Sequence, residues 1–226
     1  ERITEAGGPD ALGMTLNIPL SAGHGDVEYE AIYGSLVSRV LEQHAPELVI
    51  VSAGLDLMQG EHKSPEYRTI APNAKVPALV LDDETIITES TAICRYLEDL
   101  YPEPSLFGSS SIEKAAIEMW QNRVVFELML PLAMTFRHTH PAMAQMENQN
   151  ASYGEQQRDV SLGSLKYFDK HLADSEYIAG DAFSFADIQL ITTIQMFLPL
   201  NKIPMEEFEN ISSYNELLSA RPSCQV

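Results

Sequence analysis

Positive charge is scarce in this chain. Against 33 Asp and Glu it carries 14 Lys and Arg, a formal net charge of −19. A nucleic-acid partner, whose phosphates require a basic patch, is therefore not expected. Cysteine is scarce too: Cys94 and Cys224 form no CxxC and no disulfide framework, so a reducing cytoplasm is the expected compartment. No apolar run approaches the roughly 20 residues that cross a bilayer. The opening ERITEAGGPD has no basic stretch followed by an apolar one, so neither a membrane span nor a secretory leader is expected. Internal repeats and low-complexity tracts are missing as well. What remains is ordinary for a globular protein: 226 residues, 45% hydrophobic and 21% charged, enough for one or two cores.

The pattern along the chain divides in two. MTLNIPL (14–20) reads as a strand, followed by the turn SAGHGD (21–26). Val27, Ala31, Ile32, Leu36, Val37, Val40 and Leu41 then recur at helical spacing up to about His44. Pro46 stops that helix, and ELVIV (47–51) is a short apolar run like a strand buried on both faces. This makes one β-α-β unit. VPALVL (76–81) and TIITE (85–89) predict two further strands joined tightly through Asp82-Asp83-Glu84. Ser90 or its neighbour is expected to cap a helix over TAICRYLEDL that Pro102 ends. From Ile112 onward the period is helical throughout, with helices predicted at about 112–138, 152–173, 185–198 and 206–219. The predicted class is an α/β domain over 1–102 followed by an all-helical domain over 103–226.

GEHKSPEY (60–67), NAKVPALVL (73–81), ESTAICRYLEDLYP (89–102), IEMWQNRVVFELMLPL (117–132) and YIAGDAFSFADIQL (177–190) together resemble the cytosolic glutathione transferases. The resemblance covers about 57–223 and implies a thioredoxin-like first domain and a helical second one. It also implies glutathione as substrate, a hydrophobic electrophile as co-substrate and a homodimer. Val76-Pro77 sits where the family has a cis-proline, which presents neighbouring backbone groups to an extended peptide. Glu89-Ser90 matches the strand-to-helix junction that takes the γ-glutamyl end, the helix N-terminus facing its carboxylate and Glu89 its ammonium. By the same resemblance His62 and Lys63 take the glycyl carboxylate and Lys75 flanks the backbone. Ser184-x-x-Asp187, flanked by Phe183 and Ile188, reads as a capping box and hydrophobic staple with a structural role. His138 and His140, two apart at a helix end, do not face each other and are not expected to bind metal. Trp120, Phe126, Met129 and Met134 are expected in the core and along the electrophile pocket. Cys94 is expected to be a buried small hydrophobe.

Upstream, Asn17-Ile18-Pro19-Leu20, Gly23, Gly25-Asp26, Tyr29, Pro46-Glu47-Leu48-Val49, Ser52-Ala53-Gly54 and Asp56 resemble the histone deacetylase and acetylpolyamine amidohydrolase superfamily over about 13–56. Asp56 matches one of that family's three zinc ligands. His24 and His44 match none of its catalytic histidines. A catalytic zinc needs three protein ligands and an open position, so one carboxylate does not hold it and no metal is expected. The two resemblances meet between Gly54 and Gly60, which suggests a chimera, designed or naturally recombined, in which a deacetylase-like β-α-β unit replaces the first part of a thioredoxin-like domain. The transferase family activates its thiol with a Ser, Tyr or Cys at the first strand–helix turn. Here SAGHGD would occupy that turn, with Ser21 the nearest hydroxyl and His24 a second donor. Three readings follow: a glutathione-conjugating protein, a recombined scaffold without activity, and the remnant of a zinc amidohydrolase.

Overall fold

The computed structural model describes residues 61–81 and 83–221. The backbone divides into two units, Glu1–Leu57 and Met58–Val226, and the described residues belong to the second. The β-α-β unit expected over 14–51, the turn bearing Ser21 and His24, His44 and Asp56 all lie outside the described residues.

The described part of this unit opens with a 3-10 turn at Glu61–Lys63 and one helical turn, α1, at Tyr67–Ile70. Strands β1 (Ala78–Val80) and β2 (Ile86–Thr88) pair antiparallel, with Ala78 opposite Thr88, Leu79 opposite Ile87 and Val80 opposite Ile86. The predicted hairpin turn is present. Glu84 donates to Leu81 at 2.9 Å and adopts a left-handed φ of 65°, and Asp83 accepts from the Thr85 N–H at 3.0 Å. That bond holds the Asp83 carboxyl below its ordinary pKa. Helix α2 (Ser90–Leu100) follows directly and packs on both strands.

The remaining helices are α3 (Ser111–Arg123), α4 (Leu130–Thr139), α5 (Ala151–Leu172), α6 (Phe185–Leu200) and α7 (Glu209–Ser219). The sequence predicts one continuous helix over 112–138. The structure instead inserts a π-helical segment, Val124–Met129, between α3 and α4. Pro131 supplies the reason: it has no N–H to donate to Glu127, four residues back. The Leu130 N–H reaches Val125 instead, and the stranded Glu127 carbonyl accepts from the Ser164 hydroxyl on α5. Gly154 lets α5 approach α4, because a Cβ there would lie 2.5 Å from Thr139 Cγ2.

The core lies among these helices. Trp120, Val124, Leu128 and Leu132 from the first long element meet Leu165 and Phe168 of α5, Leu190, Ile194 and Leu198 of α6, and Ile211 and Leu218 of α7. Each such buried side chain contributes about 1.5–3 kcal/mol relative to exposure. Asp169 of α5 caps α7 from outside, accepting from the N–H groups of Asn210 and Ile211 at 2.9 and 3.0 Å. The loop after α2 is tied back to it by Glu98, whose carboxylate accepts from the Ser105 hydroxyl and the N–H groups of Leu106 and Phe107. Phe107 in turn stacks on Phe185 at 4.6 Å, and Arg95 lies over the Phe107 ring. Of the four side chains expected in the core and along the electrophile pocket, Trp120 is buried, Met129 and Met134 are half-buried, and Phe126 is 62% exposed and so outside the core. Cys94 is half-buried, not buried, although burial still raises its thiol pKa.

Candidate functional site

The hairpin register brings two of the expected ligand segments together. Ala78 and Thr88 are the last pair at one end of the sheet. Pro77 and Glu89 are the next residue outward on each strand, so Lys75-Val76-Pro77 and Glu89-Ser90 share that edge. The Val76-Pro77 peptide is cis, as is Glu103-Pro104, the latter without any signal in the sequence. Lys75, Val76, Pro77, Glu89 and Ser90 are all exposed.

Of the two capping candidates the sequence offers, Ser90 or its neighbour, the neighbour holds the position. Ser90 is the first helical residue, and the N-cap is Glu89, which offers no side-chain cap. The N–H groups of the first turn are thus left to partners from outside the helix, at the end where the peptide dipoles favour an anion. Glu89 itself sits at φ 68°, ψ 119°, a region costly for any residue with a Cβ, by about 1–3 kcal/mol. Strain of this kind is held in place by the surrounding structure and collects at functional positions.

His62 and Lys63 lie on the 3-10 turn. Lys63 is exposed and His62 half-buried. Nδ1 of His62 is enclosed and finds no hydrogen-bond partner. Neighbouring side chains connect this turn to the Lys75 segment: Arg68 donates to the Lys63 carbonyl, and Tyr67 donates to the Lys75 carbonyl. Tyr67 and Arg68 carry no sequence signal for this role, since neither residue type has a signature when it acts on backbone carbonyls five to eight positions away.

Among the described residues no cluster of His, Cys, Asp and Glu is arranged to hold a metal. His138 and His140 serve as local caps: Nδ1 of His138 accepts from the Asn150 N–H and Nδ1 of His140 from the Ala142 N–H, both at 3.2 Å. The Ser184–Asp187 motif forms the expected capping box. The Ser184 N–H and hydroxyl both donate to Asp187 at 2.8 Å. The ring contacts of the flanking Phe183 are to Tyr177 and Arg221.

The glutathione S-transferase N-terminal domain model matches residues 47–100 and the C-terminal domain model residues 128–222. The histone deacetylase domain model matches residues 1–73, so the two kinds of match overlap across the Gly54–Gly60 seam. Glutathione S-transferase 2 of Saccharomyces cerevisiae is 37% identical over 172 residues, 75% of this chain and 73% of its own. The crystal structure of Gtt2 from Saccharomyces cerevisiae is 36% identical with a TM-score of 0.69, covering 76% of this chain and 83% of its own. That of a Gtt2-class transferase from Vibrio parahaemolyticus is 34% identical at 0.68, covering 84% and 89%. The fold is that of these proteins, a thioredoxin-like domain followed by an all-helical one. This chain belongs to the glutathione S-transferase family.

Proposed function

We propose that this chain binds glutathione at the edge where Val76-Pro77 and Glu89-Ser90 meet, and conjugates it to hydrophobic electrophiles. The observation that carries the reading is the junction of β2 and α2: a left-handed Glu89 leads into a helix whose first turn has no side-chain cap. A carboxylate of the tripeptide fits that turn, and the Glu89 carboxylate fits its ammonium. His62, with its orphaned Nδ1, and Lys63 take the other carboxylate, with Lys75 beside the backbone. In the reaction the glutathione thiol loses its proton to solvent, the thiolate sulfur forms a bond to an electrophilic carbon, and the leaving group on that carbon departs with its electron pair. Ser21 is the proposed hydroxyl donor to the thiolate. Without it, orientation alone sustains a weak rate.

The test is retention on glutathione-agarose, with a conjugation assay beside it. Retention of the parent and loss with Glu89→Ala support the reading; a parent that washes through opposes it. For Ser21, the Ser21→Ala protein is expected to conjugate more slowly and to bind thiol with a raised pKa. An unchanged rate and pKa would remove Ser21 from the role.

A second reading draws support from the deacetylase match over 1–73: the chain is a recombined scaffold that keeps the fold and has lost catalysis. It predicts retention without conjugation, or neither. The remaining parts of the proposal are a division into domains 1–102 and 103–226, a cytoplasmic location and a homodimer. Among the described residues no helix is long and apolar enough to cross a membrane. Support for the dimer comes from the helical surface. Met119, Phe126 and Leu130 on α3–α4 and Val160 and Tyr167 on α5 are exposed apolar side chains beside the line where Arg123 meets the Tyr167 hydroxyl. A second copy would cover such a face.

A further inference from the structure

We propose that Tyr67 and Arg68, adjacent on the single turn of α1, are positioning residues that aim the Val76 backbone at glutathione; the inference rests on the site described under Proposed function. The Tyr67 hydroxyl donates to the Lys75 carbonyl at 2.7 Å. The peptide between Lys75 and Val76 is one planar unit, so a carbonyl fixed in direction fixes the opposed Val76 N–H as well. Val76 is the residue whose main chain would pair with the ligand, and nothing in the strand ladder holds it, since the pairing begins at Ala78. Arg68 does the complementary work. Its Nε donates to the Lys63 carbonyl at 3.1 Å and its Nη1 to the Pro72 carbonyl at 3.4 Å. Two neighbouring side chains thereby join the His62-Lys63 turn to the segment that ends at Val76. Leading into Val76, the Ala74 N–H donates to the Ala71 carbonyl at 2.8 Å, and Ala74 takes a left-handed φ of 53° that L-residues adopt only under constraint.

The bonds made by Tyr67 and Arg68 are solvent-exposed, so water replaces them when they are removed and the fold loses little. Ligand binding depends on direction and loses more. The experiment is calorimetric titration of the whole chain with glutathione, comparing the parent with Tyr67→Phe and Arg68→Lys. Each variant is expected to raise the dissociation constant about three- to tenfold. Thermal unfolding midpoints should stay within about 3 °C of the parent, the response to a surface hydrogen bond in a chain of this length. A Tyr67→Phe protein that melts with the parent and binds with the parent's affinity overturns the inference. One that melts far below the parent makes the phenol a structural prop and overturns it too, and Arg68→Lys then decides whether the second brace stands alone. A parent that gives no heat defeats the glutathione reading itself.

Discussion

Asp187 shows how far a single buried residue organises the helical part. It is fully enclosed and accepts from the N–H groups of Ile178 and Ser184, the Ser184 hydroxyl and the Tyr214 hydroxyl, all at 2.8 Å. Replacing it by Ala removes a cap and leaves buried donors unmet, so Asp187→Ala is expected to cost about 3–5 kcal/mol, read from urea unfolding. Its partner Tyr214 has its pKa raised above the ordinary 10.0, first by burial and then by the Asp187 charge. The folded state therefore holds the phenol proton more tightly than the unfolded chain does. That contribution is complete below pH 10 and is lost as pH rises beyond it. Tyr214→Phe should lower stability at neutral pH and flatten the alkaline fall; a fall as steep as the parent's would contradict the assignment. Ser-x-x-Asp was legible in the sequence because the capping box is local. Tyr214 was not, because it arrives from 27 residues away and a tyrosine on a helix looks like any other core residue.

Elements carried most of the legible signal, and their departures have identifiable causes. The hairpin followed from two short β-rich runs around Asp83, and apolar spacing gave four helical stretches, which the structure fills with α3 to α7, two of them in the first stretch. The π segment was not foreseen, because periodicity averages over a wider turn, although Pro131 was the visible cause. The Glu89-Ser90 junction is legible in the sequence as Ser90 or its neighbour capping a helix; the neighbour, Glu89, holds the N-cap position and makes no side-chain bond there. The α4–α5 contact gives a test at this scale. Gly154→Ala places a methyl against Thr139 and His138 and is expected to cost about 1–3 kcal/mol through overpacking. Gly163→Ala on the same helix has open space beside it and should stabilise slightly, by up to about 1 kcal/mol. Equal effects at the two positions would mean that the helices are not in close contact at Gly154.

At the scale of the whole molecule, charge and surface point in different directions. A net charge of −19 keeps copies apart in dilute salt, while the exposed face around Phe126 favours joining them. If that face pairs copies, light scattering should give twice the chain mass, and Phe126→Asp should give the single mass with the fold intact by circular dichroism. A dimer unchanged by Phe126→Asp would place the interface elsewhere. The transferase assignment rests on motifs spread from His62 to Asp187, and their joint spacing, rather than any one of them, made it legible. The thiol-activating group was not legible, because the segment that would carry it resembles another family.

The central claim is that glutathione binds where β1, β2 and α2 meet. Calorimetric titration of the parent and of Ser90→Ala tests it most directly. The account predicts saturable binding by the parent with a dissociation constant at or below about 1 mM. It predicts weakening of about tenfold or more in Ser90→Ala, the loss of a hydrogen bond to a charged ligand group. No binding heat from the parent at several times that concentration, or equal affinity in the two proteins, would contradict it.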